Sequence, residues 1–138
     1  MKKYKIGYTT GVFDMFHIGH LNILKRSKEM CECLIVGVST DELVETSKNK
    51  KPIIPFEERC EIIRAIKYVD KVVPQTNKNK FEAWKNYKFN VMFVGSDWKG
   101  KPLFMKAEKE LNSVGVQVVY FDYTKHISST ILRKKINK

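Results

Sequence analysis

Three cysteines in 138 residues, two of them Cys31 and Cys33 with a single position between, are too few and too close for a disulfide framework. A reducing compartment leaves all three, Cys60 included, as thiols, and packing is their expected use. Histidine is as scarce: besides His17 and His20 there is only His126, and no cysteine stands in a finger-like spacing with them, so a zinc site lacks ligands. No apolar run approaches the roughly 20 residues that cross a bilayer, and no apolar signal segment opens the chain. Membrane insertion is therefore not expected, and a cytoplasmic location is. The glycine-rich phosphate signatures GxGxxG, GxxxxGKS and GxxxxGKT do not occur. Internal repeats, low-complexity tracts and an interdomain linker are also missing, which leaves residues 1–138 as one expected domain.

Acidic residues number 15 against 26 lysines and arginines, a net charge of +11. Such an excess attracts polyanions, but it is spread over Lys48 to Lys51, Lys78 to Lys80 and the tail Arg133, Lys134, Lys135 and Lys138. No helix-turn-helix, zinc-finger or RNP pattern accompanies it, so nucleic acid is not an expected partner. Clefts that steer small anionic substrates account for the same charge.

What is present is a 43% hydrophobic content, enough for a core, in strand-like and helix-like stretches that alternate. Strands are expected at 5–9, 34–39, 71–73, 91–94 and 116–121, and helices at 21–30, 56–66, 80–87, 102–113 and 129–135. Pro55 or its neighbour opens the second helix and Gly115 closes the fourth. The polar, lysine-rich stretch from Glu45 to Pro52 reads as mobile. Alternation of this kind argues for an α/β, Rossmann-like domain, a parallel five-stranded sheet with helices on both faces. Ligands of such sheets gather beyond the carboxyl ends of the strands.

The most telling residues lie at the first of those ends, Gly11-Val12-Phe13-Asp14-Met15-Phe16-His17-Ile18-Gly19-His20. The first turn of the following helix carries unpaired N–H groups and the positive end of the dipole, which favours an anion. Three residues apart, His17 and His20 project from one side of that turn toward shared phosphate oxygens, and Gly19 keeps bulk away from them. Asp14 can orient the loop, bind a phosphate-bridging Mg²⁺ or cap the turn.

GVFDMFHIGH resembles the GxFDxxHxGH motif of the nucleotidyltransferase superfamily that includes the cytidylyltransferases. Further stretches line up in order with the small glycerol-3-phosphate cytidylyltransferases: Ser39-Thr40-Asp41-Glu42, Pro55 to Arg59, Tyr68 to Pro74, Val94 to Lys101 and Ile127-Ser128-Ser129-Thr130. The resemblance implies transfer of a nucleotidyl group from CTP to a small polyol phosphate, with His17 and His20 stabilising charge on the triphosphate. It matches Lys48 and Lys50 to a lysine pair that reaches the acceptor and nucleotide phosphates, whereas without it KNKK is an ordinary solvated loop. Arg59 stands where the family has a helix arginine that grips a phosphate or fixes a neighbouring carboxylate; the plainer reading is a surface salt bridge to Glu57 or Glu58. Lys67 takes the place of a second arginine, and Lys80 is a further contact for the acceptor phosphate. Asp97 and Trp98 match a pair that shapes the pocket, although Trp98 alone would read as a core aromatic. Ser128, Ser129 and Thr130 suit the β- and γ-phosphates, or simply cap a helix.

Two departures bear on substrate choice. Tyr123-Thr124-Lys125-His126-Ile127 replaces a family stretch containing arginine and glycine, and the ISSTxLR ending resembles ISSTxIR of adenylyltransferases. Lys125 or Arg133 can supply the missing charge, and Tyr123 can stack on a base. Val12 replaces a threonine, which removes a hydroxyl near the nucleotide. The leading expectation is a cytidylyltransferase acting on glycerol 3-phosphate, with Mg²⁺ arriving on the nucleotide, no dedicated protein metal site, and a homodimeric assembly. The alternatives are an adenylyltransferase using ATP on a phosphorylated small molecule, a cytidylyltransferase for another phospho-alcohol, and a basic nucleotide- or RNA-binding module.

Overall fold

A computed structural model of the chain describes residues 3–96 and 99–122. The elements run β1 (Tyr4–Gly11), α1 (Ile18–Met30), β2 (Cys31–Ser39), α2 (Asp41–Lys48), α3 (Phe56–Arg64), β3 (Lys71–Gln75), α4 (Lys80–Tyr87), β4 (Val91–Gly95), α5 (Pro102–Asn112) and β5 (Gln117–Phe121). All five strands are parallel in the order β3-β2-β1-β4-β5. Strand order reverses at β1, so the chain after β1 opens onto the crevice where such sheets bind ligands.

Both faces of the sheet are covered, which is why its strands read as nearly continuous apolar runs. Leu34, Val36, Val38, Val91 and Phe93 pack on one face with Leu24 of α1 and with Cys60 and Ile63 of α3. Tyr8, Ile35, Met92 and Val94 pack on the other with Phe104 and Leu111 of α5, against which Phe81 and Trp84 of α4 are laid. The expected Rossmann-like architecture is thus the observed one, with a histidine-bearing layer of α1 and α3 and an opposite layer of α4 and α5.

Differences from the expected elements have local causes. Residues 41–48 form helix α2, where the sequence suggested that a mobile stretch begins at Glu45. Thr40 caps it by accepting from the Leu43 N–H at 3.2 Å, Asp41 and Glu42 complement the dipole in its first turn, and Asn49 closes it in the left-handed conformation at φ 55°. β3 runs on through Pro74 to Gln75, which an edge strand allows because one row of its backbone groups has no neighbour. Helix α3 stops at Arg64, short of Ile66. α5 ends at Asn112, and Gly115, at φ 84°, makes the turn into β5 instead of closing the helix. The expected helix at 129–135 lies outside the described residues.

Candidate active site

The loop from Val12 to Phe16 is short and held from several sides. Phe13 and Met15 adopt left-handed backbone conformations at φ 55° and 50°, which for side chains of this size costs on the order of 1–2 kcal/mol each. Asp14, between them, is buried and directs both carboxylate oxygens at backbone: Oδ2 accepts from the Ile53 N–H and Oδ1 from the Ile54 N–H, each at 2.8 Å. Of the three uses open to Asp14, orienting the loop is the one these bonds serve. A Cβ on Gly11 would lie 3.0 Å from the Phe13 ring, so glycine there is what lets that ring fold back over the end of β1.

His17 is the N-cap of α1, and His20 is its partner in a capping box built from two imidazoles. His17 Nδ1 accepts from the Gly19 N–H at 3.0 Å, and His20 Nδ1 accepts from the His17 N–H at 3.2 Å. The rings stack with centroids 3.9 Å apart and 23° between planes, and the edge of Phe13 meets His20 at 5.4 Å. Because each Nδ1 is an acceptor, the neutral rings carry their proton on Nε2. His17 Nε2 is buried and has no hydrogen-bond partner among the described residues. Burial lowers the His17 pKa, and burial together with the neighbouring His17 lowers His20 to about 4 against a slight opposing pull from Asp14. Near neutral pH both imidazoles are therefore uncharged N–H donors.

Of the two uses expected of Arg59, the described structure shows the one that fixes a neighbouring carboxylate, Asp41. The arginine side chain is completely buried, and it donates to Ile54 O at 2.9 Å, Val12 O at 2.8 Å, Ser39 O at 2.7 Å and Asp41 Oδ1 at 2.6 Å. Its ion-pair partner is Asp41 at the start of α2, not Glu57 or Glu58 on the surface of its own helix. The guanidinium thus joins the loop after β1, the end of β2, the start of α2 and the approach to α3. Val12, for its part, offers the site a carbonyl already bonded to Arg59.

The expected lysines fall in different places. Lys80, the first residue of α4, reaches from the opposite layer to the end of β1, where its Nζ donates to Thr10 Oγ1 at 3.0 Å. Burial of the ammonium and the nearby Lys78 lower its pKa to about 8. Lys48 ends α2, and exposed Lys50 lies three residues before Ile53, in the segment that returns to Asp14. Lys67 does not join them: α3 runs back along the sheet, so this exposed lysine precedes β3 at the amino end of the strands. Asp97, Trp98, Tyr123, Thr124, Lys125, Ile127, Ser128, Ser129 and Thr130 lie outside the described residues. Thr10 and Asp41 were not singled out in the sequence; for Asp41 the signal was the capping pattern Thr40-Asp41-Glu42, for Thr10 there was none. Among the described residues no three His, Cys, Asp or Glu side chains cluster to hold a metal.

Paired neutral donors thus stand at a helix start beyond a parallel sheet, and the chain belongs to the cytidylyltransferase-like family, whose model matches residues 8–135. It is a nucleotidyltransferase. Among its relatives, the glycerol-3-phosphate cytidylyltransferase of Bacillus subtilis (strain 168) is 36% identical over 129 residues, 93% of this chain and 94% of that one. The FAD synthase of Pyrococcus abyssi is 40% identical over 109 residues, 78% of this chain and 72% of that one. A solved structure, the lipopolysaccharide core biosynthesis protein from Thermoplasma volcanium, superposes with a TM-score of 0.73 at 26% identity, covering 90% of this chain and 99% of the other.

Proposed function

We propose that the protein transfers CMP from CTP to glycerol 3-phosphate, forming CDP-glycerol and pyrophosphate. The observation that carries this reading is the similarity to a glycerol-3-phosphate cytidylyltransferase along nearly the full length of both chains. An acceptor phosphate oxygen attacks the α-phosphorus of CTP in line, and pyrophosphate leaves. The acceptor is already an anion near neutral pH, so the enzyme supplies position and charge stabilisation and no nucleophile of its own. The Nε2–H groups of His17 and His20 donate to phosphate oxygens on which charge develops. Lys48 at the end of α2 and Lys50 in the segment after it close over the phosphates, and Lys80 takes the acceptor phosphate at the end of β1.

Mg²⁺ is expected on the nucleotide, where it would neutralise phosphate charge. The loop's carboxylate, Asp14, has both oxygens on backbone N–H groups, in keeping with a metal held by the substrate. Neutral imidazole donors suit a metal-bound triphosphate, whose charge the metal already offsets. A homodimer is expected, and sedimentation would establish it.

A second reading, transfer of AMP from ATP to a phosphorylated small molecule, is favoured by the FAD synthase relatives and by the Ile127-Ser128-Ser129-Thr130-Ile131-Leu132-Arg133 ending. The test is pyrophosphate release with Mg²⁺ and either CTP or ATP, offered glycerol 3-phosphate, ribitol 5-phosphate, phosphocholine, phosphoethanolamine and FMN. Turnover with CTP and glycerol 3-phosphate is the expected result. Turnover with ATP and FMN alone would establish the second reading.

A further inference from the structure

A lysine at the first position of a helix is badly placed for stability. The helix dipole presents positive charge there, and α4 begins with Lys80 just after Lys78. A solvated lysine escapes this by extending into water, but Lys80 is half-buried and its ammonium is turned inward onto β1. No carboxylate pairs with it among the described residues; its hydrogen-bond partner is Thr10 Oγ1 at 3.0 Å, a neutral oxygen from β1 in the centre of the sheet. A half-buried ammonium beside a second cation, answered among the described residues by one hydroxyl, is arranged to take a further anion.

Thr10 is the penultimate residue of β1, so the same short stretch carries the hydroxyl, turns at Gly11 and proceeds to His17. Lys80 belongs to the layer on the other side of the sheet from α1. A flexible four-carbon stem entering from that layer has many rotamers, and a fixed acceptor on a central strand selects one.

We propose that Thr10 is a positioning residue for the acceptor: its hydroxyl fixes the Lys80 ammonium at the end of β1, where that ammonium receives the acceptor's phosphate. The proposal rests on the reading of Lys80 as an acceptor contact. The hydroxyl keeps one lone pair on Lys80 while the other two ammonium protons point to the ligand, so the pair binds phosphate without a rotamer search. Recognition is of a phosphomonoester dianion, and the nucleotide is held by the other layer.

The experiment compares Thr10→Val, Thr10→Ser and Lys80→Met with the unaltered protein in two measurements. The first is steady-state kinetics with CTP and glycerol 3-phosphate each varied. Thr10→Val is expected to raise the acceptor KM about tenfold, leaving the CTP KM and kcat within about twofold, and Thr10→Ser to restore the acceptor KM to within about threefold of the original. Lys80→Met is expected to raise the acceptor KM by more than Thr10→Val does. The second, independent of turnover, is an NMR titration of the Lys80 Nζ signal, alone and with inorganic phosphate. Losing the oxygen that favours the charged form lowers the Lys80 pKa further in Thr10→Val, and Thr10→Ser returns it.

An unmoved Lys80 pKa and acceptor KM in Thr10→Val would overturn the positioning role. An unmoved acceptor KM in Lys80→Met, with no phosphate-induced shift of the Lys80 signal, would overturn the reading of Lys80 on which it stands.

Discussion

Each imidazole of the His17–His20 pair uses one nitrogen for the fold, and the proposed function gives the other to the chemistry. Nδ1 satisfies a backbone N–H in the first turn of α1, and Nε2 is left as a donor. The two roles separate by mutation. Asparagine is among the best N-caps, so His17→Asn is expected to leave stability within about 0.5 kcal/mol while turnover falls at least ~100-fold for want of the Nε2 donor. His17→Ala loses the cap as well and costs about 1 kcal/mol more, read by urea unfolding. Equal stability of the two variants would dismiss the capping role.

The same bonds set a pH dependence. Protonating either ring on Nδ1 opposes an N–H with an N–H and opens the capping box. His20 titrates at about 4 in the folded protein against 6.5 for an unperturbed histidine. The unfolded chain therefore takes up the proton first as pH falls. Its contribution is complete above about pH 6.5 and is lost progressively down to about pH 4, amounting to at most about 3 kcal/mol. Glutamine at this position can make the same reach back to the cap without titrating. His20→Gln is expected to flatten the rise in unfolding free energy between about pH 4.5 and about pH 7. An unchanged slope would assign the acid sensitivity elsewhere.

At the scale of elements, the loop after β1 owes its shape to groups far away in sequence. Asp14 bonds to residues 39 and 40 positions on, and Arg59 reaches Val12 across 47 and Ser39 across 20. Arg59→Met keeps apolar bulk but leaves the carbonyls of Val12, Ser39 and Ile54 without these donors. It is expected to destabilise by about 3–5 kcal/mol in urea unfolding and to weaken CTP binding, although the residue faces no ligand here. A loss of CTP affinity with full stability would return Arg59 to direct phosphate contact.

These distances also mark what the sequence discloses. The turn after β1 was legible because its histidines, glycine and helix start fall within ten residues, and the sheet because its strands, covered on both faces, are nearly continuous apolar runs. The surface salt bridge from Arg59 to Glu57 or Glu58 was the misleading reading, because an arginine on a polar helix face reads as exposed, whereas its partners Val12, Ser39 and Asp41 lie far off in sequence. Helix α2 was half-hidden by the lysine-rich stretch at and beyond its end, which looks like a loop unless Thr40 and the acidic first turn are weighed. The Thr10–Lys80 pair spans 70 residues and two layers, and no spacing encodes it.

Over the whole molecule, both helix layers send donors to one end of the sheet, imidazoles from one side and an ammonium from the other, in a chain of net charge +11. The described residues include no helix long and apolar enough to cross a membrane. That charge is dispersed over segments distant from each other in sequence, so its effect belongs to the field of the protein and not to any one contact. A field acts on the encounter with an anion, and salt screens it over a Debye length of about 10 Å at 0.1 M. Chemistry between bound, desolvated groups is screened far less. Raising sodium chloride from about 0.02 M to about 0.5 M is therefore expected to lower kcat/KM for the nucleotide roughly tenfold or more while kcat changes less than about twofold. Neutralising Lys134 and Lys135 together should shallow the salt dependence without altering kcat. If instead kcat falls in step with kcat/KM, the salt is reaching the phosphate contacts themselves, and the excess charge serves binding at the site and not approach to it.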